Sequence, residues 1–230
     1  MNIFANVKHV VVAALMVASS MAQAAVITYS TAQSKFDAGV LNQGWWSASA
    51  SPAASDSNDN HITGTYENIT YRSFYTFDLS QLSGTVTNAT LRVMSGSQSG
   101  NVNLKLSDVS TAASIVNNNS GPSSSIYDDL GTGKSYGTFL VKDGLDTSYL
   151  SLDLNAQALA DINAATSFFT IGAMVNPNQY IFAFTGGDVT YLDLTVTPKA
   201  VPEPATVALL GLGLLGVAAS RRKSAKSKSA

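Results

Sequence analysis

The chain has no cysteine, which excludes disulfides, thiolate metal sites and iron–sulfur clusters and leaves stability to packing and hydrogen bonding. Histidine is almost as scarce. Of the two present, His9 and His61, the first lies in a segment expected to be removed, so no histidine-rich zinc site can form and only His61 is available to a Ser-His-Asp triad. No G-x-S-x-G elbow accompanies it, since the nearest stretch, Gly96 to Gly100, has Gln98 at its centre. His61 therefore reads as a solvated loop residue. Charged residues make up only 12% of the chain, and Glu67 is the single glutamate between Ala25 and Ala200. Asp128, Asp129, Asp143 and Asp146 show no spacing that sets two carboxyls across a scissile bond, so they read as turn and capping residues of a non-enzymatic body.

What charge there is divides unevenly. Between Ala25 and Ala200, 7 Lys/Arg stand against 14 Asp/Glu, a net of −7, whereas the last ten residues carry Arg221, Arg222, Lys223, Lys226 and Lys228, a net of +5. An acidic body does not track a phosphate backbone, and nucleic acid is not an expected partner.

Long apolar runs are also missing, and the two short ones lie at the ends. Lys8 precedes Val10 to Val17, and Ala22-Gln23-Ala24 follows as a small-x-small site, the layout of a secretory signal peptide cut by signal peptidase after Ala24. At the other end Gly211, Gly213 and Gly216 spell G-x-G-x-x-G, but the chain stops 14 residues later and no acidic residue follows Glu203. The ribose-binding half of a dinucleotide fingerprint is therefore absent. Ala205 to Ser220 is instead an uncharged stretch of 16 residues before a basic cluster, slightly short for a hydrocarbon core of about 30 Å and weakened by its glycines as a helix. It reads as a marginal transmembrane helix, bounded on the outer side by Pro202 and Pro204 and held by its basic end in the cytoplasm.

The order Val201-Pro202-Glu203-Pro204, a Gly/Leu-rich segment, then Arg221-Arg222-Lys223 resembles the PEP-CTERM sorting signal of Gram-negative bacteria. The resemblance implies recognition by an exosortase, a membrane-embedded cysteine protease. It implies further that the tail is removed near the Pro-Glu-Pro motif and that the body, anchored only transiently in the inner membrane, reaches the cell surface or the extracellular polysaccharide. The expected organisation is a signal peptide over 1–24, a β-sandwich over 25–199, the sorting signal over 200–223 with its span over 205–220, and a basic tail over 224–230.

Within the body, short alternating segments separated by Gly, Asn, Ser and Asp predict an antiparallel all-β sandwich of nine or ten strands. Tyr71 to Phe77, the alternations at Ala89, Leu91, Val93 and at Val102, Leu104, Leu106, and later Tyr136 to Val141, Leu150 to Leu154, Phe168 to Met174, Tyr180 to Phe184 and Val189 to Val196 supply them. One stretch, Asn155 to Ala164, breaks the period and predicts a short helix capped by Asn155, with Leu159 and Ile162 on its apolar face. Tyr71 to Val93, with F-D-L-S and V-x-x-A-x-L-x-V, resembles the first half of DNRLRE-type jelly-roll domains of surface and polysaccharide-associated proteins. In that segment Asp78 and Ser80 suit a turn.

Two binding features stand out. Asp56, Asn58, Asn60 and Glu67 occupy positions 1, 3, 5 and 12 of an EF-hand-like loop, but the required glycine is His61. They are candidates for a looser structural calcium and no other cofactor is expected. Trp45-Trp46 beside Asn42 and Gln43 must point to opposite faces of a strand, which makes one of them a candidate to stack on a sugar. The expected function is an exported, non-enzymatic surface or matrix protein. A carbohydrate-binding module using exposed Trp or Tyr is its first rival, ahead of a polysaccharide hydrolase and of an ice-binding protein, for which no regular Thr or Ser repeat is evident.

Overall fold

The structure, a computed structural model, describes residues 23–32, 36, 41–49, 60–118, 122–144, 148–182, 187–199 and 213. Ala24–Pro198 forms one compact unit. Its described residues contain strands β1 (Ala25–Ser30), β2 (Gln43–Trp46), β3 (Thr63–Tyr66), β4 (Ile69–Asp78), β5 (Thr85–Met94), β6 (Val102–Asp108), β7 (Ser135–Val141), β8 (Tyr149–Asp153), β9 (Phe168–Val175), β10 (Tyr180–Ile181) and β11 (Tyr191–Thr197). Three helices accompany them: α1 (Ala113–Val116), α2 (Ser124–Asp129) and α3 (Ala156–Ala164).

The strands make two antiparallel sheets, one in the order β1-β11-β5-β8 and the other β10-β3-β4-β9-β6-β7, with β2 also pairing β4. From β4 onward the chain crosses between sheets at β4–β5, β5–β6, β7–β8 and β8–β9, and β11 returns to the first sheet to lie between β1 and β5. This is jelly-roll topology, within the antiparallel all-β sandwich that the alternating pattern predicts. In the smaller sheet the row Tyr29, Leu192, Leu91, Leu152 runs across all four strands and points inward. Opposite it stand Tyr75, Phe77, Leu104, Leu106 and Ile171 from the larger sheet. Each such side chain contributes about 1.5–3 kcal/mol on burial, which is how a chain without disulfides holds two sheets together.

Strand β4 does not alternate in polarity because it is covered on both faces: Tyr75 and Phe77 enter the inter-sheet core, while Phe74 joins a second cluster with Trp46, Val116, Ile126 and Leu130. That cluster lies beneath α1 and α2, in the connection between β6 and β7. Trp46 Nε1 donates to the Val116 carbonyl at 2.9 Å. Arg72 donates from Nη1 to the carbonyls of Tyr127 and Asp128 at 2.8 and 3.0 Å, with its guanidinium 4.2 Å from the centre of the Tyr127 ring. The alternating pattern gave no sign of α1 and α2, since helices of four and six residues are too short to show a 3.6-residue period. The longer α3 matches its predicted span. Asn155 Oδ1 accepts from the amides of Gln157 and Ala158 at 3.0 and 3.1 Å, and Ile162 is buried as expected, although Ala158 rather than Leu159 takes the second buried position.

His61 departs from its sequence reading. It is buried rather than solvated, edge-on to Tyr75 and Phe182 at ring separations of 5.3 and 5.1 Å. Its Nδ1 lies 3.4 Å from Gln43 Nε2. Gln43 also donates to the Asp188 carbonyl at 2.8 Å and accepts from Thr31 Oγ1 and the Thr190 amide at 2.7 and 3.2 Å. Four separate stretches of the chain, at Thr31, Gln43, His61 and Asp188 to Thr190, supply this buried polar group, so no local window shows that the ring is enclosed. Burial lowers the His61 pKa to about 4 against a partial opposing effect of its backbone bond at Met94.

Two outcomes follow from this architecture. Gly172 lies directly beneath the backbone of Leu130, where a Cβ would meet the carbonyl group rather than a movable side chain. Gly172→Ala should therefore lift the insert from the sheet and lower unfolding free energy by about 1–3 kcal/mol in urea titrations. His61 is protonated in the unfolded chain below about pH 6.5 but not in the fold until about pH 4. The unfolded state thus binds the extra proton in that window, and stability should fall by about 3 kcal/mol as pH drops through it. His61→Leu should flatten the urea midpoint between pH 7 and 4.5 if this group is the cause.

Candidate functional site

The two outer faces of the sandwich differ. The larger sheet is overlaid by the insert that carries α1 and α2, while the smaller sheet presents polar side chains to solvent along all four strands. Because side chains alternate, the residues between the inward leucines form outward rows. Ser30, Tyr191, Arg92 and Ser151 make one row, and Thr28, Asp193, Thr90 and Asp153 the next. Val26, Thr195 and Asn88 continue the face, and Tyr149 sits opposite Met94 at its other end.

These groups are tied to one another. Arg92 donates to Asp193 from Nε at 2.6 Å and from Nη2 at 3.3 Å, and Thr28 Oγ1 donates to the same carboxylate at 2.7 Å. The Arg92 bond holds the Asp193 carboxyl below its usual range, and the same bond raises the guanidinium. Thr90 Oγ1 donates to Asp153 at 2.7 Å. The Arg92 guanidinium carbon lies 4.6 Å from the centre of the Tyr191 ring, and the Tyr149 and Tyr191 rings are 5.7 Å apart. Tyr149 reaches from β8 across β5 to donate its hydroxyl to the Val189 carbonyl at 2.9 Å. That distance is two strand spacings, about 9.5 Å, so the side chain lies along the sheet surface rather than standing up from it. Burial and then the neighbouring Tyr191 raise its phenol pKa. The arrangement is a preorganised surface of aromatic rings and polar groups.

Several residues singled out from the sequence have structural duties instead. Trp46 is 2% exposed and Trp45 9%, so neither indole is offered to a sugar. Trp46 fills the space under the insert, and Trp45 packs edge-on against Tyr71 with ring centres 4.7 Å apart. Asp129 accepts from the amides and hydroxyls of Ser110 and Thr111, closing the insert on itself; burial opposes ionisation, but those bonds prevail and its pKa is lowered. Asp143 takes the Gly144 amide in a turn, and Asp78 takes the Ser80 amide as expected. Asp128 is exposed beside Arg72 at 3.9 Å, and Asp146 lies outside the described residues.

The calcium candidates are not brought together where they can be seen. Glu67 and Asn68, with φ of 49° and 63°, form the two-residue β3–β4 hairpin turn, the conformation that a primed turn requires. Asn60 lies beyond the opposite end of β3, so an extended strand, not a loop closing on an ion, separates it from Glu67. Asp56 and Asn58 lie outside the described residues, and among the described residues no three His, Cys, Asp or Glu gather as a metal site.

The sequence reading passed over Tyr149, Tyr191, Arg92 and Asp193. The only available signal was the polar phase of strands recognised by their apolar phase. Which polar residues meet was invisible, because Arg92 and Asp193 are 101 positions apart.

Of the terminal segments, Ala22, Val201, Pro202, Glu203, Pro204, Arg221, Arg222 and Lys223 lie outside the described residues, as does the predicted span 205–220 apart from Gly213. No helix among the described residues is long and apolar enough to cross a membrane. No curated protein matches the chain. Residues 200–223 do match the family model of the PEP-CTERM protein-sorting motif. The chain therefore carries a PEP-CTERM sorting motif, the mark of an exported protein that is handed to an exosortase.

Proposed function

We propose that this protein is a non-enzymatic component of the bacterial cell surface or extracellular polysaccharide matrix, delivered in two steps. Signal peptidase releases the N-terminus after Ala24. The segment 205–220 then holds the chain in the inner membrane until an exosortase removes the tail. The match at residues 200–223 carries this reading.

The chemistry of the body supports the non-catalytic part. Asp129, Asp161 and Asp193 are engaged in structural hydrogen bonds: Asp161 holds Lys134 Nζ at 2.7 Å and the Tyr136 hydroxyl at 3.0 Å, and the others hold the groups described above. A glycosidase needs one carboxyl raised and protonated beside a second, ionised one. All three of these are lowered instead. The matrix role then rests on the open sheet face.

Intact-mass spectrometry of the mature protein from an exosortase-bearing host tests the delivery. The wild-type chain should begin at Ala25 and end near the Pro-Glu-Pro motif, while the Pro202→Ala, Pro204→Ala double variant should retain its tail and stay with the membrane fraction. A mature wild-type protein that keeps Arg221 to Lys223 would overturn the assignment.

A further inference from the structure

We propose that the solvent face of the β1-β11-β5-β8 sheet is a binding platform for an uncharged polysaccharide, laid across the strands with one sugar ring seated on Tyr149. The proposal takes its setting from the matrix reading above, but its evidence is the face itself. Among the described residues α1 and α2 overlie part of the other outer face and not this one. On it Tyr149, 38% exposed, is held along the surface by its hydroxyl bond to Val189. An aromatic ring lying along a surface offers a face to the C–H side of a pyranose with little further loss of conformational freedom.

The polar rows supply what hydroxyl groups need. Ser30, Tyr191, Arg92 and Ser151 stand on four successive strands, and Thr28, Asp193, Thr90 and Asp153 run parallel to them. Neighbouring strands are about 4.8 Å apart, close to the advance of one sugar in an extended 1,4-linked chain, so a polymer running across the strands meets a fresh side chain at each residue. Ser151 and Asp153 are exposed, as is Thr28 at the far edge.

Charge selects among polysaccharides. The one cation on these two rows, Arg92, is closed against Asp193 by two hydrogen bonds, and the body as a whole carries 7 Lys/Arg against 14 Asp/Glu. A polyanion finds no uncommitted cation on these rows and an acidic surface around them. Asp153 keeps its negative charge while accepting from Thr90, so the rows disfavour polyanions, and chitosan is the comparator that separates a neutral polymer from a polycation drawn by the acidic body. A protein partner would call for an apolar centre in a larger buried area. Among the described residues Val26 is the one large apolar side chain on this face that is more than half exposed, and it lies on the edge strand β1.

Affinity electrophoresis of the purified full chain through gels containing a mixed-linkage β-glucan, a mannan, dextran or soluble starch tests the platform, with alginate and chitosan as charged comparators. At least one neutral polymer should retard the protein more than either charged one. Tyr149→Ala should weaken that binding about tenfold, the loss of one stacked ring, while Tyr149→Phe, which keeps the ring but loses the bond to Val189, should fall between Tyr149→Ala and the wild type. Ser151→Glu, an exposed change that leaves the core alone, should weaken it too, and Leu140→Ser on the opposite sheet should leave it unaltered. Retardation by none of the four neutral polymers, by a charged polymer alone, or undiminished in both Tyr149→Ala and Ser151→Glu would overturn the proposal. Because the assay uses purified protein, it reads independently of tail removal: a retained tail with glucan binding sinks the sorting assignment alone, and a cleaved tail without binding sinks the platform alone.

Discussion

The two-residue period of the β-strand is the constraint on which this molecule depends. Antiparallel pairing sets Leu192 opposite Leu91 and Leu91 opposite Leu152, and burial of that row against the larger sheet is a large favourable term in a fold with no covalent crosslink. Once it is made, the alternate residues have no choice. Tyr191, Arg92 and Ser151 must face outward, and a slip of one position would exchange the two sets. The candidate site is thus the complement of the core, and what stabilises one positions the other.

The larger sheet uses the same pleat for a different end. Its second face is also apolar at Phe74 and Trp46, and the β6–β7 connection folds back over it. Arg72 binds the carbonyls near the C-terminal end of α2, and Asp129 gathers the amides and hydroxyls at the other end of the insert. Gly172 allows the Leu130 backbone to approach. The result is a body whose larger sheet is partly overlaid by the insert and whose smaller sheet is not.

The buried group around Gln43 and His61 serves a third purpose. It joins the end of β1, strand β2 and the entry to β11 by hydrogen bonds through the interior, so the segments flanking the first and last strands are held together by polar as well as apolar contacts. Burial disfavours a charge on the ring, so His61 makes the fold sensitive to acid between about pH 6.5 and 4.

The sequence alone determined the class of the body, most of its strands, the span and cap of α3, and the sorting motif. Each is local: alternation within Thr85 to Met94, an Asn before a run of alanines, or two prolines and a glutamate ahead of an apolar segment. The burial of both tryptophans, the enclosure of His61, the covering insert and the meeting of Tyr149, Tyr191, Arg92 and Asp193 were decided only by tertiary structure. Their common reason is that strands adjacent in a jelly roll are distant in the chain. Ala25 pairs with Val196, and a side chain's neighbours across such a pairing depend on topology and register, which no short window of sequence contains.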